Sequence, residues 1–295
     1  MSLERRSYHG ESDWPMIAGL ISDDPAFHQR YDFPWRLCST SLENHKNAAI
    51  WEDENKQPRI FASLQFPWLT LDYAIHPGIR TWEAEAIVIE WGESRLHQIA
   101  EETNSHFPFN ISAYAHEVDR ITFLEGLGYT RWENHLVLLS RSLVALTEPH
   151  LPEGFTIRSL AGEPELASYA ELHRAAFNST TMTADWRQRT LHAPLYNPAL
   201  DLVVVAPDDR LAGFCIWWYS PESKLAQIEP LGVHPDFQHL GLSQALMAEG
   251  FKRVAAHGAE TALVESYSFN QAALRTYGSA GFRESAQKLK YYKNY

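Results

Sequence analysis

The stretch Leu231-Gly232-Val233-His234-Pro235-Asp236-Phe237-Gln238-His239-Leu240-Gly241-Leu242-Ser243 decides the fold of this 295-residue chain. An apolar strand end runs there into a Gln-x-x-Gly-x-small turn, and the turn opens a helix. That helix is amphipathic, because Leu242, Leu246, Gly250 and Val254 recur every fourth residue and share one face. The first amides of a helix have no intrahelical acceptor, and together with the helix dipole they make an anion site. A pyrophosphate suits it: Gly241 lets the backbone approach the phosphates, and small Ser243 leaves the first turn uncrowded.

A second element follows at Asn270-Gln271-Ala272-Ala273-Leu274-Arg275-Thr276-Tyr277-Gly278-Ser279-Ala280-Gly281-Phe282, which reads as an N-cap, two helical turns and a glycine stop. Asn270, Ala273 and Tyr277 share one helix face, the outer two separated by roughly 10 Å. An amide, a small residue and a phenol in line suit an extended polar arm that ends in a leaving group.

Together the two motifs resemble the GNAT superfamily of N-acetyltransferases. The resemblance implies that Gln238, His239, Leu240, Gly241, Leu242 and Ser243 cradle the pyrophosphate of coenzyme A. It also implies that Asn270 and Ala273 lie along pantetheine and that Leu231, Gly232 and Val233 border the thioester. It runs from about Gly154 to the C-terminus, including Ile228-Glu229-Pro230-Leu231-Gly232-Val233-His234-Pro235 and the closing Leu289-Lys290-Tyr291-Tyr292-Lys293. Family members often carry Arg-Arg or Arg-Gly where this chain has His239-Leu240, and Gly or Ala where it has Ser243; neither change removes a backbone donor.

The chain also looks duplicated. Leu71-Asp72-Tyr73-Ala74-Ile75-His76-Pro77, with a helix from about Thr81, mirrors Glu229 to Pro235 and its helix, and Phe123 to Tyr129 mirrors Thr276 to Phe282 at nearly the same offset. Between the copies lies the Pro-rich stretch Thr147-Glu148-Pro149-His150-Leu151-Pro152-Glu153-Gly154, which reads as a linker. Alignment sets Arg80 against Gln238, Glu83 against Gly241, Glu85 against Ser243, Leu124 against Tyr277 and Glu117 against Asn270. Two carboxylates then stand where phosphates bind, a cost on the order of several kcal/mol at reduced dielectric. The expected fold is therefore α/β: two tandem GNAT (acyl-CoA N-acyltransferase) folds, each a mixed central sheet flanked by helices. Residues 1–146 form a degenerate copy and 153–295 the acetyl-CoA-binding one.

In the second half the pattern predicts strands at Phe155–Ser159, Leu202–Ala206, Ala212–Trp218, Leu225–Val233, Ala262–Tyr267 and Lys288–Tyr292. Helices are predicted near Glu163–Phe177, Thr183–Arg189, Leu240–Ala256 and Asn270–Ser279.

Composition narrows the partners. With 45% hydrophobic and 13% aromatic residues the chain can build packed cores, and a net charge of −12 without a Lys/Arg cluster disfavours nucleic acid and anionic membranes. A cationic or neutral amine is easier to attract. Met1 to Arg6 leads into a polar segment rather than a secretory leader, and no apolar run approaches membrane-spanning length, so a cytoplasmic location is expected. Cys38 and Cys215 read as buried thiols. No metal is expected: His234 and His239 lack a third ligand at suitable spacing.

Acetyl transfer to an amine needs a bound thioester, an oxyanion donor, a route for the amine proton and a proton for the departing thiolate. By resemblance, the Val233 amide meets the acetyl oxygen. Glu229, four residues earlier on the same strand face as Leu231 and Val233, can take the amine proton directly or through water. Tyr277 can protonate the thiolate; transfer from a phenol of pKa about 10 to a thiolate whose thiol has a pKa of about 8.5 is uphill by about 2 kcal/mol. Trp186, Trp217, Trp218 and Tyr219, with Asp185 as counter-ion, are candidates for an acceptor pocket, against a core role. The expected function is N-acetyl transfer from acetyl-CoA directly to a primary amine of a small molecule. The alternatives are a non-catalytic acyl-CoA-binding sensor and a protein-amine acetyltransferase.

Overall fold

The computed structural model describes residues 3–23, 33–105 and 108–294, so Met1 and Ser2 of the opening segment lie outside the described residues. The chain divides into two compact units, Met1–His135 with Gln287–Tyr295, and Leu136–Ala286.

The first unit contains β1 (Glu4–Ser7), α1 (Trp14–Asp23), α2 (Phe33–Leu37), β2 (Ala48–Glu52), β3 (Pro58–Gln65), β4 (Thr70–Ile75), α3 (Trp82–Thr103), β5 (Pro108–Tyr114) and α4 (Val118–Gly126). Strands β1 to β4 are antiparallel neighbours, and β4 pairs parallel with β5. A parallel pair needs a crossover, and α3 supplies it. The strand β6 (Thr130–Ser142) leads out of this unit. The second unit repeats the series: β7 (Thr156–Ser159), α5 (Leu166–Phe177), α6 (Ala184–Leu191), β8 (Asp201–Val205), β9 (Leu211–Ser220), β10 (Leu225–Val233), α7 (Leu242–Ala256), β11 (Thr261–Tyr267) and α8 (Gln271–Ser279), followed by β12 (Arg283–Asn294). Here β7 to β10 are antiparallel neighbours, and α7 carries the crossover to parallel β11.

The duplication holds at the level of individual hydrogen bonds. His76 and His234 each begin a 3-10 turn in which the imidazole Nδ1 accepts a backbone N–H two residues on, from Gly78 at 3.1 Å and from Asp236 at 3.2 Å. Both short helices end in the same glycine stop, with Tyr129 N–H donating to Leu124 O and Phe282 N–H to Tyr277 O, each at 3.1 Å. Leu124 and Tyr277 are thus structural counterparts.

The closing strands are exchanged. Lys288–Asn294 of β12 pair antiparallel with β5 in the first unit, whereas Leu136–Ser142 of β6 pair antiparallel with β11 in the second. The expected break at 147–154 is a coil within the second unit, and the units part instead at 135/136 and 286/287. A strand contributed from a distant part of the sequence covers an edge that would otherwise stay open, and no local pattern announces which edge it covers.

Each unit has its own core. In the second, Leu242, Leu246 and Val254 are buried among Cys215, Trp217, Phe251 and Val264, each large aliphatic side chain contributing roughly 1.5–3 kcal/mol. Gly250 completes that face because a Cβ there would fall inside the indole of Trp217. We expect Gly250→Ala to lower stability by roughly 1–3 kcal/mol through overpacking, despite alanine's better helix propensity, as read by chemical denaturation. A neutral or stabilising outcome would show that Trp217 yields.

Candidate functional site

The site begins where β10 loses one of its neighbours. Its register with β11 covers Leu225↔Thr261 to Gln227↔Leu263 and stops, while its register with β9 continues to Val233↔Gly213. An extra residue interrupts the β9 ladder between Ile228 and Leu231, at the Glu229–Pro230 peptide, which is cis. His234 N–H donates to Ala212 O at 2.9 Å, so antiparallel alternation turns the Gly232 amide toward β9 and the Leu231 and Val233 amides away from it. Those two amides face the side from which β11 has diverged.

The helix α7 begins beside this opening. Gly241 is its N-cap at φ 78°, and no side chain caps it. The first backbone bond of the helix runs from Ala245 N–H to Gly241 O, 3.1 Å, so the amides of Leu242, Ser243 and Gln244 precede it. His239 also has positive φ, at 65°. Alternating left- and right-handed residues before a helix start form a concave array of N–H groups, the geometry that holds anions. Nothing lies within 4 Å of a Cβ placed on Gly241, so its left-handed φ, not crowding, makes glycine the favoured residue.

On the other wall, α8 is capped by Asn270, whose Oδ1 accepts from Ala273 N–H at 3.2 Å. Gln244 Nε2 donates to Thr276 O at 2.7 Å and ties α7 to α8. Tyr277 is 9% exposed, packed edge-on against Phe282. Burial first, then the Glu229 carboxylate and Cys215, push its phenol above the usual tyrosine value, so it stays protonated. Glu229 is half-buried, and its backbone carbonyl accepts from Trp218 Nε1 at 2.6 Å.

These pieces enclose a cavity of about 420 Å³. Among the anticipated residues, Leu231, Gly232, Val233, Gln238, His239, Gly241, Leu242, Ser243, Ala273 and Tyr277 line it. Leu240 and Asn270 are exposed and do not, and neither does Glu229, whose carboxylate helps to raise the Tyr277 pKa. The reading that Glu229 shares a strand face with Leu231 fails, because the extra residue between Ile228 and Leu231 breaks the period of two. Sequence reasoning missed Ala176, Phe177, Phe237, Gln244, Ala272 and Thr276. Ala272 and Thr276 sit beside Ala273 and Tyr277 on the same helix and were within reach of a face argument; Ala176 and Phe177 come from α5 and carry no local signal.

Trp186, Trp217 and Trp218 are each no more than 2% exposed, so of the two roles weighed for these aromatics the core role is the one observed. Among the described residues no three His, Cys, Asp or Glu side chains group so as to hold a metal, and no helix is long and apolar enough to cross a membrane. Cys38 and Cys215 are fully buried thiols, neither joined in a disulfide.

The corresponding place in the first unit is closed by its own side chains. Thr81 caps α3, its Oγ1 accepting from Ala84 N–H at 3.2 Å. The Glu83 carboxyl is held below its usual value by its own backbone amide and the Thr81 hydroxyl. Glu85, expected to repel phosphate alongside Glu83, instead turns inward and is 2% exposed. It accepts from Arg80 Nη1 at 2.7 Å, Arg120 Nη1 at 3.1 Å and the Tyr73 hydroxyl at 3.0 Å. Its charge is spent on these partners.

Residues 166–282 match the family model described as acetyltransferase (GNAT) family. The chain is similar to the mycothiol acetyltransferase of Kineococcus radiotolerans, 31% identical over 171 residues, 56% of this chain and 55% of that one. It is also similar to that of Streptomyces coelicolor, 30% identical over 150 residues, 50% and 48% of the two chains. The chain thus matches about half the length of these curated relatives. Among solved structures, a GCN5-related N-acetyltransferase from Sphaerobacter thermophilus superposes with a TM-score of 0.66 at 19% identity, covering 99% of this chain and 95% of that one. A tandem GNAT protein from the clavulanic acid biosynthesis pathway gives 0.66 at 12% identity, covering 99% and 98%. The chain thus has a tandem GNAT fold, with the acetyltransferase (GNAT) family match confined to residues 166–282.

Proposed function

We propose that the second unit transfers the acetyl group of acetyl-CoA directly to a primary amine of a small molecule, while the first unit binds no coenzyme. The observation that carries this reading is the contrast between two equivalent helix starts. The start of α7 is uncapped and opens into a cavity, whereas that of α3 is capped by Thr81 and covered by Glu83.

In this reading the pyrophosphate of acetyl-CoA takes the amides of Leu242, Ser243 and Gln244 together with the Gln238–Gly241 turn. Pantetheine runs between β10 and α8, past Ala273, and the acetyl oxygen meets the outward amide of Val233. Glu229, which does not line the cavity, takes the amine proton through water. The C–N bond forms, the C–S bond breaks, and the thiolate leaves beside Tyr277. Because its pKa is raised, the phenol acts first as a hydrogen-bond donor to sulfur. Once Glu229 has accepted the amine proton, its negative charge no longer opposes ionisation of Tyr277, and completion of the proton transfer becomes easier.

The test is thiol release from acetyl-CoA against a panel of amine metabolites. Acceptor-dependent release is expected; binding of acetyl-CoA with no turnover on any amine would make the protein a sensor instead. Ser243→Glu places a carboxylate in the first turn without disturbing Gly241, so we expect coenzyme affinity to fall by about ten- to a thousand-fold, corresponding to about 1–4 kcal/mol of like-charge repulsion. The same change leaves thermal stability equal or higher, since acidic residues suit a helix start; retained affinity would refute the pyrophosphate assignment. Tyr277→Phe and Glu229→Gln should each lower kcat by about 10²–10⁴ with little change in coenzyme affinity. Because the Tyr277 pKa is raised, the wild-type pH–rate profile should show no loss near pH 10 that Tyr277→Phe removes. Such a loss would mean that the phenol titrates as an ordinary tyrosine.

A further inference from the structure

The first unit contains a second cavity, of about 350 Å³, between β1, the 3-10 turn His45–Asn47 and the middle of α3. In a chain of net charge −12 its lining is basic: Arg5, Arg6, Lys46 and Arg95 contribute, and among the described residues that line it none is acidic. Arg6 is already satisfied, bonded to Asp13 at 2.9 Å and to Glu52 at 2.5 Å. The other three have no carboxylate within hydrogen-bond distance among the described residues. Arg5 and Lys46 are exposed and have no ion-pair partner among the described residues. Arg95 is 5% exposed, yet its close partners are neutral amides, Asn47 Oδ1 at 3.0 Å and Gln98 Oε1 at 3.3 Å. The nearest carboxylate, that of Glu102, is at 3.8 Å and largely in solvent.

The guanidinium is held in a fixed direction. Asn47 is itself buried and anchored by its Nδ2 to Ser41 O at 2.8 Å, which turns its carbonyl oxygen toward Arg95. Amides that orient a buried guanidinium without neutralising it leave its charge for something else, and like charges gathered in one cleft repel unless an anion joins them. Trp91 gives the cavity an apolar wall and is braced edge-on by Trp51 at 5.8 Å. The volume is that of a small-metabolite pocket.

We propose that this cavity binds a small phosphate monoester, with the phosphate held by Arg5, Lys46 and the fork of Arg95 and the organic body against Trp91. The site lies apart from the residues assigned to acetyl-CoA, so it stands or falls independently of that assignment.

Calorimetric titration of the full chain with inorganic phosphate, glucose 6-phosphate and acetyl-CoA tests it. Glucose 6-phosphate should bind more tightly than inorganic phosphate. The double substitution Arg5→Gln with Lys46→Gln, at exposed positions, should weaken both by about ten-fold or more, the size of a lost charge-assisted hydrogen bond, without changing Tm in the absence of ligand. Arg95→Lys, which keeps the charge but loses the fork, should also weaken binding, whereas Ser243→Glu should leave glucose 6-phosphate affinity unchanged. Equal affinity of the double variant and the parent, or no heat with either phosphate at about 10 mM, would overturn the proposal. So would loss of the phosphate signal in Ser243→Glu, because both probes would then be reading the coenzyme cleft.

Discussion

From Ile228 onward β10 has a ladder partner on one side only, and the candidate site depends on that asymmetry. Its bonds to β9 hold the strand in place as far as Val233, while β11 has already diverged after Leu263. The divergence frees the outward amides of Leu231 and Val233 and opens a gap that α8 and Tyr277 border. Had the parallel pairing continued, these amides would be spent within the sheet and no cavity would reach them. Gln244, bridging to the Thr276 carbonyl, ties together the two helices that flank the gap.

The two units show one scaffold with the start of its crossover helix left open and with it closed. Backbone features survive in both: the histidine-capped 3-10 turn, the long crossover helix and the glycine stop of the short helix. The side chains at the helix start differ. Thr81 and Glu83 satisfy α3 from within the chain, and Glu85 is drawn inward by Arg80 and Arg120. At α7, glycine and serine at the matching positions leave the amides to the cavity. A helix N-terminus needs acceptors in either case, and they come from within the chain or from outside it, as water or a ligand.

Much of the second unit was legible because its signals are local. The four-residue repeat of Leu242, Leu246, Gly250 and Val254 marked the buried face of α7, and Asn270 with Gly281 marked the ends of α8 and its stop. Strand bounds fell within a few residues of expectation, apart from β12, which starts at Arg283 instead of Lys288. Assigning Glu229 to the face of Leu231 assumed unbroken alternation, which a bulge defeats. For Trp186, Trp217 and Trp218 the sequence left a core role and an acceptor pocket both open, and complete burial decides for the core.

What the sequence determined by itself was therefore whatever short-range periodicity and turn chemistry encode: the order of elements, the uncapped start of α7, the duplication and the loss of the phenol at Leu124. Tertiary structure alone decided which strand closes each sheet, which way Glu85 points, and that Ala176 and Phe177 of α5 border the cavity. The physical reason is range. Capping and amphipathic periodicity act over a few residues, whereas edge pairing and the neutralisation of a buried carboxylate are settled by partners brought close only when the chain packs.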